Sequence, residues 1–480
     1  MVTDARWAAK ITALLHDPPD KPFAIAGHKE RARALLRIAL GREPTAGEWE
    51  CAKRADQIAS AADRVNFPQG SEAYWHRERA VLTHPLAGRA LDLRSLADIT
   101  TEKVFPKVEE AVRQLVDGTF DLRQRYLRLW RLLPEALGKA CPDIGSLWAM
   151  LPADTRQPDH PLHQHVSITA AIADALPNPA LLVFSLRPVQ EFISAARRTQ
   201  DLWMGSWLIS YLVWAAIKSI AQAYGPDVLI YPALREQPLC DLWLVDEGVI
   251  PEGQRPSVDH LTLATLPNKF VALLPAPEAS KAAEAAEAVL REKWVALVEA
   301  VRQGLEKTAL RPDNRWPIAM WERQAKAQWE VYWAVLPWPG ANVSKPEDQA
   351  KAVRDLFEDL CNPDHGWQFG RVYELCERSG AYAPNWGTTY SLLYTLADRA
   401  FNARKGMRSF IQAEEKGEKC TLCGQRSAVH GEDTSRRGVR RFWGSLAQEV
   451  RQQSANVAGA LAGEHAALKA PDGSGEGRER

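Results

Sequence analysis

LLVFSLRPVQEFISAARRTQDLWMGSWLISYLVWAAI, residues 181–217, is the stretch on which the fold turns. Leu181 to Leu186 form a short apolar run that stops at Arg187-Pro188. Such a run reads as a strand buried on both faces, ended by a residue with no N–H to give to a ladder. From Val189 the period changes, and Val189, Phe192, Ile193 and Ala196 recur at the spacing of an amphipathic helix. A second apolar stretch, Trp203 to Ile217, is too short and too punctuated to span a bilayer and predicts a core helix. Strand, tight exit and long buried helix open an α/β sandwich.

Three more strands follow downstream. Asp227–Tyr231 reads as the second, broken by Pro232, and Lys269–Leu274 as the third, bounded by Pro267 and Pro275. Residues 278–307 are Ala- and Glu-rich, with Val289, Leu290, Trp294, Leu297 and Val298 at helical spacing. Trp329, Val331, Trp333 and Val335 alternate across a fourth strand ended by Pro337. The order β-α-β-β-α-β is the ferredoxin-like plan, which hosts many functions and argues for none.

Upstream, the pattern is helical. Trp7, Ile11, Leu14 and Leu15 share one helix face, and His16-Asp17-Pro18-Pro19 closes that helix. Further helices are predicted over Lys29–Leu40, Gly47–Val65, Val104–Ala140 and Val166–Leu176, with no strong strand before Leu181. His16 and Asp17 offer an imidazole and a carboxylate to a divalent cation. Asp56 and Asp63 lie seven apart, two turns along one helix face, where pairing with neighbouring arginines on a solvated face is the expected role. His84 precedes Pro85. His160 and His163 read as loop residues, whereas His165 heads a helix able to turn it inward.

With 480 residues, about three domains are expected. A formal net charge of zero leaves no global field toward nucleic acid or membrane, so such contacts must come from local patches. Seven scattered cysteines fit a reducing cytoplasm rather than a disulfide scaffold. The N-terminus has acids and bases within its apolar run and does not read as a signal peptide. The eighteen tryptophans fall mostly in helix-like segments, as packing residues. After the linker Trp338–Asp348, helices are predicted to about Ala413; Cys420-Thr-Leu-Cys423-Gly then has the geometry of one zinc knuckle. His430, His465, Cys361 and Cys376 are the obvious substitutes for its missing ligands. Arg436, Arg437, Arg440 and Arg441 form a basic cluster, ordinarily a solvated helix face and otherwise a contact for RNA.

Six segments in order resemble the large subunit of type III-B (Cmr) CRISPR effector complexes, the Cas-ten family. They are 14–32 (LLHDPPDKPFAIAGHKERA), 81–93 (VLTHPLAGRALDL), 152–176, 184–212 (FSLRPVQEFISAARRTQDLWMGSWLISYL), 266–276 (LPNKFVALLPA) and 419–426 (KCTLCGQR). The resemblance implies an α+β multidomain chain. Residues 1–178 would be a mostly helical, circularly permuted HD-type nuclease domain, 179–338 a first ferredoxin-like palm, and 339–480 a helical region with half a zinc site.

In that layout His16 and Asp17 are the catalytic, metal-holding pair and His165 is the displaced histidine, with Asp63 and His84 as additional candidate ligands. Mn²⁺, Co²⁺ or Ni²⁺ is the implied cation and single-stranded DNA the implied substrate. Arg187, Asp201, Asn268 and Lys269 are candidates to line an ATP site on the palm, each equally readable as a structural loop residue. The family's Gly-Gly-Asp-Asp signature, needed to make cyclic oligoadenylates in a second palm, is absent, since the sequence holds no Gly-Gly and no Asp-Asp. Zinc at Cys420 and Cys423 would need a second cysteine pair, expected just after Arg480, so the resemblance implies a truncated chain; a natural polar tail is the other reading. Implied partners are other Cmr subunits, guide RNA, target RNA and single-stranded DNA, with no membrane. A scaffold subunit with a vestigial HD site is the competing expectation.

Overall fold

The structure is a computed structural model that describes residues 2–62, 81–84, 86–96, 98–153, 160–308, 318–326, 328–360, 375, 378–379, 390–407, 418–421, 423–424, 426–431 and 433–467. It divides into two compact units that interleave in sequence. One comprises 1–189, 203–289 and 331–408; the other comprises 190–202, 290–330 and 409–480.

The first unit is mostly helical with a small antiparallel sheet. It begins with α1 (Val2–Leu15), α2 (His28–Leu40) and α3 (Ala46–Ala62). Trp7, Ile11, Leu14 and Leu15 of α1 are all buried, as the spacing predicts. A reciprocal capping box starts α3: the Glu48 N–H donates to Thr45 Oγ1 at 3.2 Å and the Thr45 N–H to Glu48 Oε2 at 2.7 Å. The predicted helix Val104–Ala140 is two helices, α4 (Thr101–Val116) and α5 (Leu122–Ala140). The break falls at Gly118, whose φ of 72° suits glycine, and Asp121 caps α5 by accepting from the Arg123 N–H. α6 (Leu162–Ala175) packs on α1 and α3.

A short hairpin, β1 (Val81–Thr83) with β2 (Ala90–Asp92), corrects the expectation of no strand before Leu181. Three-residue strands are too short to register as alternation.

β3 (Pro179–Arg187) is buried along its length and ends where predicted. The chain continues through α7 (Gln190–Ser194), α8 (Thr199–Tyr224), β4 (Leu229–Tyr231), α9 (Pro238–Asp246), α10 (Val258–Leu261), β5 (Lys269–Pro275), α11 (Ala276–Thr308), α12 (Ile318–Trp321) and β6 (Glu330–Pro337). The sheet order is β4-β5-β3-β6. β3 and β5 pair antiparallel from Pro179↔Pro275 to Ser185↔Lys269, and Phe184 stacks on Phe270 with ring centroids 4.7 Å apart. The strand–helix–strand–strand–helix–strand succession read from periodicity is present, with α9 and α10 inserted between its second and third strands. Asp227 falls in a 3₁₀ turn ahead of β4 rather than in the strand.

α6 packs on both central strands, so the N-terminal helices and the sheet share one core. α8 is longer than predicted: its 26 residues are long and apolar enough to cross a membrane, but 56% of its most apolar window is buried inside the protein. The unit closes with α13 (Pro346–Leu360) and a helix over Tyr390–Gly406.

In the second unit, Phe192 and Trp294 flank Trp329, with centroids 4.7 and 5.4 Å from its ring. The helix Arg436–Ala467 packs there through Phe442 and Leu446, against Leu305, Trp321 and Val429.

Candidate metal centre

Three helices of the first unit converge on one cluster. α1 ends beside His16 and Asp17, α3 carries Asp56, and α6 carries His165. One ligand atom from each of the four lies within 4.8 Å of the others. Among the described residues this is the one group of three or more His, Cys, Asp or Glu side chains so arranged. Small residues permit the convergence: Ala52, Ala55 and Ala59 of α3 and Ala170 and Ala171 of α6 are fully buried, so the helices approach closely.

The distances to Asp56 are those of a ligand shell, and those to Asp17 are slightly longer. Nε2 of His165 lies 3.2 Å and Nε2 of His16 3.4 Å from Oδ1 of Asp56. The same two nitrogens lie 3.8 and 3.7 Å from Oδ2 of Asp17. Bonds of about 2.0–2.2 Å to a shared divalent ion would set such atoms roughly 3–3.6 Å apart. His16 has Nδ1 2.6 Å from the Ala13 carbonyl. That contact makes Nδ1 the protonated nitrogen and leaves the Nε2 lone pair free to bind. His16 is 8% exposed, and its Nε2 has no hydrogen-bond partner. A buried, orphaned imidazole nitrogen between two carboxylates fits a cation, and two nitrogens with two oxygens suit a borderline transition metal.

Neighbouring groups tune the set. Ser60 Oγ donates to Asp56 Oδ1 at 3.0 Å. Lys21 donates to Asp17 Oδ2, the oxygen facing both histidines, and offsets one carboxylate charge. Burial works to raise Asp56, but the imidazoles of His16 and His165 beside it outweigh burial and hold the carboxyl well below its usual range. Burial works to lower His16, yet Asp17, and then Asp56, push its pKa above 6.5. Beyond the pair, Arg31 Nε meets Asp20 Oδ2 at 2.6 Å and Arg31 Nη1 donates to the Ala26 carbonyl, fixing the loop that follows.

Of the residues read from sequence, His16, Asp17 and His165 come together here. Asp63 lies outside the described residues. His84 is elsewhere: it is exposed in the β1–β2 turn, and its Nδ1 accepts from the Leu86 and Ala87 N–H groups, both at 3.1 Å. The fourth member is instead Asp56, read from sequence as a solvated-face residue. Its signal was the run of small residues beside it, which marks a face pressed against other helices.

Asn268 donates to Ser185 Oγ and the Leu186 carbonyl, clamping the ends of β3 and β5. Lys269 pairs with Asp398 and sits over the Phe401 ring, 5.5 Å from its centroid. Burial, then nearby Arg187 and Lys269, lower the Lys405 pKa, so three cations gather at this end of the sheet. Asp201, in the second unit, accepts from the Arg197 and Arg198 N–H groups ahead of α8. Cys420 is half-buried and Cys423 exposed, and a turn joins them through the Gly424 N–H to the Cys420 carbonyl at 2.8 Å. His430 is buried with Nδ1 against the Gly431 carbonyl; Cys361 and Cys376 and the side chain of His465 are outside the described residues.

Residues 181–299 match the family model described as CRISPR-associated protein Cmr2, N-terminal. The chain is 25% identical to the CRISPR system Cmr subunit Cmr2 of Pyrococcus furiosus, over 90% of this chain and 53% of that one. It thus spans about half the length of that relative. Its fold is similar to a chain of type III-B Cmr-beta in the apo state (TM-score 0.58, 19% identity, 88% of this chain and 44% of that one). It is also similar to a chain of Cmr-beta bound to cognate target RNA (TM-score 0.53, 19% identity, 93% and 46%). The matched domain and the curated relative make the chain similar in sequence to CRISPR-associated Cmr2 proteins, and the Cmr-beta chains share its fold.

Proposed function

We propose that the chain is the nuclease-bearing part of the large subunit of a type III-B effector complex, and that its N-terminal helices form a metal-dependent nuclease for single-stranded DNA. The buried, unpartnered Nε2 of His16, facing Asp17, Asp56 and His165, carries this reading. His16, Asp17, Asp56 and His165 would hold the cation. When bound, Mn²⁺, Co²⁺ or Ni²⁺ supplies a water of lowered pKa and neutralises charge on a phosphodiester. The Ala13 carbonyl keeps the His16 lone pair on the site, Ser60 fixes the Asp56 carboxylate, and Lys21 holds Asp17 in place.

On the sheet, Arg187, Asn268 and Lys269 are proposed contacts for ATP, supported by the cations at the sheet end, and Asp201, in the second unit, is a separate candidate contact. Zinc at Cys420 and Cys423 is proposed with further ligands still to be found. Other Cmr subunits, guide RNA and target RNA are the proposed partners in the cytoplasm; a relative of the same fold occurs in a complex bound to target RNA. The test is cleavage of labelled single-stranded DNA with Mn²⁺, Co²⁺ or Ni²⁺. Loss in His16→Ala and Asp17→Ala supports the nuclease. Unchanged cutting in both variants, or no cutting by the wild type, leaves the scaffold reading.

A further inference from the structure

The helix Arg436–Ala467 has two unlike faces. Val439, Phe442 and Leu446 are buried at i, i+3, i+7 and form its packing seam. Arg436, Arg440 and Trp443 recur at i, i+4, i+7 in a separate row, with Arg437 and Arg441 beside them. All four arginines are exposed, and Trp443 is 42% exposed.

Nothing in the helix itself calls for that row. Ser435 caps the start, its Oγ accepting from the Gly438 N–H at 3.0 Å, so the arginines occupy the first two turns, at the positive end of the helix dipole. Cations there oppose the dipole, and the pairs 436/440 and 437/441 repel at i, i+4 spacing. Among the described residues beside the row, the carboxylate of Asp433, held low first by hydrogen bonds from Ser435 and only later by Arg441, faces four guanidinium groups. In a chain of zero net charge, this concentration asks for an anion from outside.

We propose that this row binds single-stranded nucleic acid, the arginines meeting successive phosphates and Trp443 stacking on a base. An exposed indole in line with guanidinium groups fits an unpaired base better than a duplex, whose bases are already stacked. The row belongs to the second unit, and the proposal does not depend on the candidate metal centre of the first.

The test uses the full chain in EDTA, so that no cation occupies the metal centre. Fluorescence anisotropy reads its affinity for labelled oligo-U RNA and oligo-dT DNA across a salt series. Arg436→Gln with Arg440→Gln should weaken binding about tenfold and flatten the log–log salt slope by about 1.4, the loss of two phosphate contacts on a single strand. Arg436→Lys with Arg440→Lys should keep the slope. Trp443→Ala should weaken binding about tenfold and leave the slope unchanged. A tenfold preference between the two oligonucleotides would assign the natural strand as RNA or DNA. Affinity and slope unchanged in the glutamine variant, or equal binding of poly-glutamate, would overturn the proposal, the latter reassigning the row to an acidic protein.

Discussion

Nε2 of His16 sits between two carboxylates without a hydrogen of its own to give, because the Nδ1 proton is committed to the Ala13 carbonyl. A cation must compete there with a proton. Asp17 and Asp56 raise the pKa of His16 above 6.5 against the opposing effect of burial. The imidazolium therefore persists to higher pH than in a free histidine, and the neutral, ligating form is lost as pH falls. Mn²⁺ affinity should drop on acidification from pH 8 to pH 6, by about tenfold per unit for each proton displaced. Calorimetric titration in buffers of different ionisation enthalpy checks it; a pH-independent affinity would contradict it. The His-Asp dipeptide, closed by two prolines, made half of this centre legible in the sequence. Asp56 reads there as a solvated-face residue, because the small residues beside it mark a packed face without naming α6 as the helix that packs there. His84 misled for the opposite reason: its ring satisfies a turn two residues away.

Elements carry the centre into the rest of the unit. α1 holds His16 at one end and, earlier, Lys10, whose Nζ lies 2.5 Å from Oδ2 of Asp227 just before β4. Both side chains are fully buried, and the Lys10 ammonium also lies 5.2 Å from the Tyr126 ring centroid. Arg6 on the same helix reaches Asp174 at the end of α6, with Nε to Oδ1 at 2.6 Å. The helix is thus pinned both to the sheet and to the element bearing His165. Removing one partner of a buried pair strands a charge, so Lys10→Met should cost about 3–5 kcal/mol in urea unfolding. Lys10→Met with Asp227→Leu should recover most of that loss; a double variant as unstable as the single one would refute the pairing. The buried run 181–186 and the prolines around it were enough to fix β3 and β5. The break between α4 and α5 went unread because apolar spacing continues across Gly118, and the helix propensity of its neighbours hides the turn.

At the scale of the whole molecule, chemistry is unevenly placed. The first unit holds the candidate metal centre and a cation-lined sheet end; the second holds the Cys420–Cys423 turn and the arginine row. No Gly-Gly or Asp-Asp occurs in the sequence, so the Gly-Gly-Asp-Asp signature is absent from it. Incubated alone with ATP and Mn²⁺, this chain should yield no cyclic oligonucleotide by mass spectrometry; detection of one would place that chemistry on residues not named here. The resemblance to Cmr large subunits was legible because several motifs occur in order, whereas the division into two interleaved units was not, since it depends on contacts between distant segments. The centre itself is tested most directly by calorimetric titration of Mn²⁺ into the wild type, Asp56→Asn and His84→Ala. Saturable binding that Asp56→Asn weakens by about 100-fold and His84→Ala leaves unchanged is the result expected, a ligand counting at least as much as the outer partners of a metal site. Equal affinity in the wild type and Asp56→Asn, or loss in His84→Ala, would contradict it.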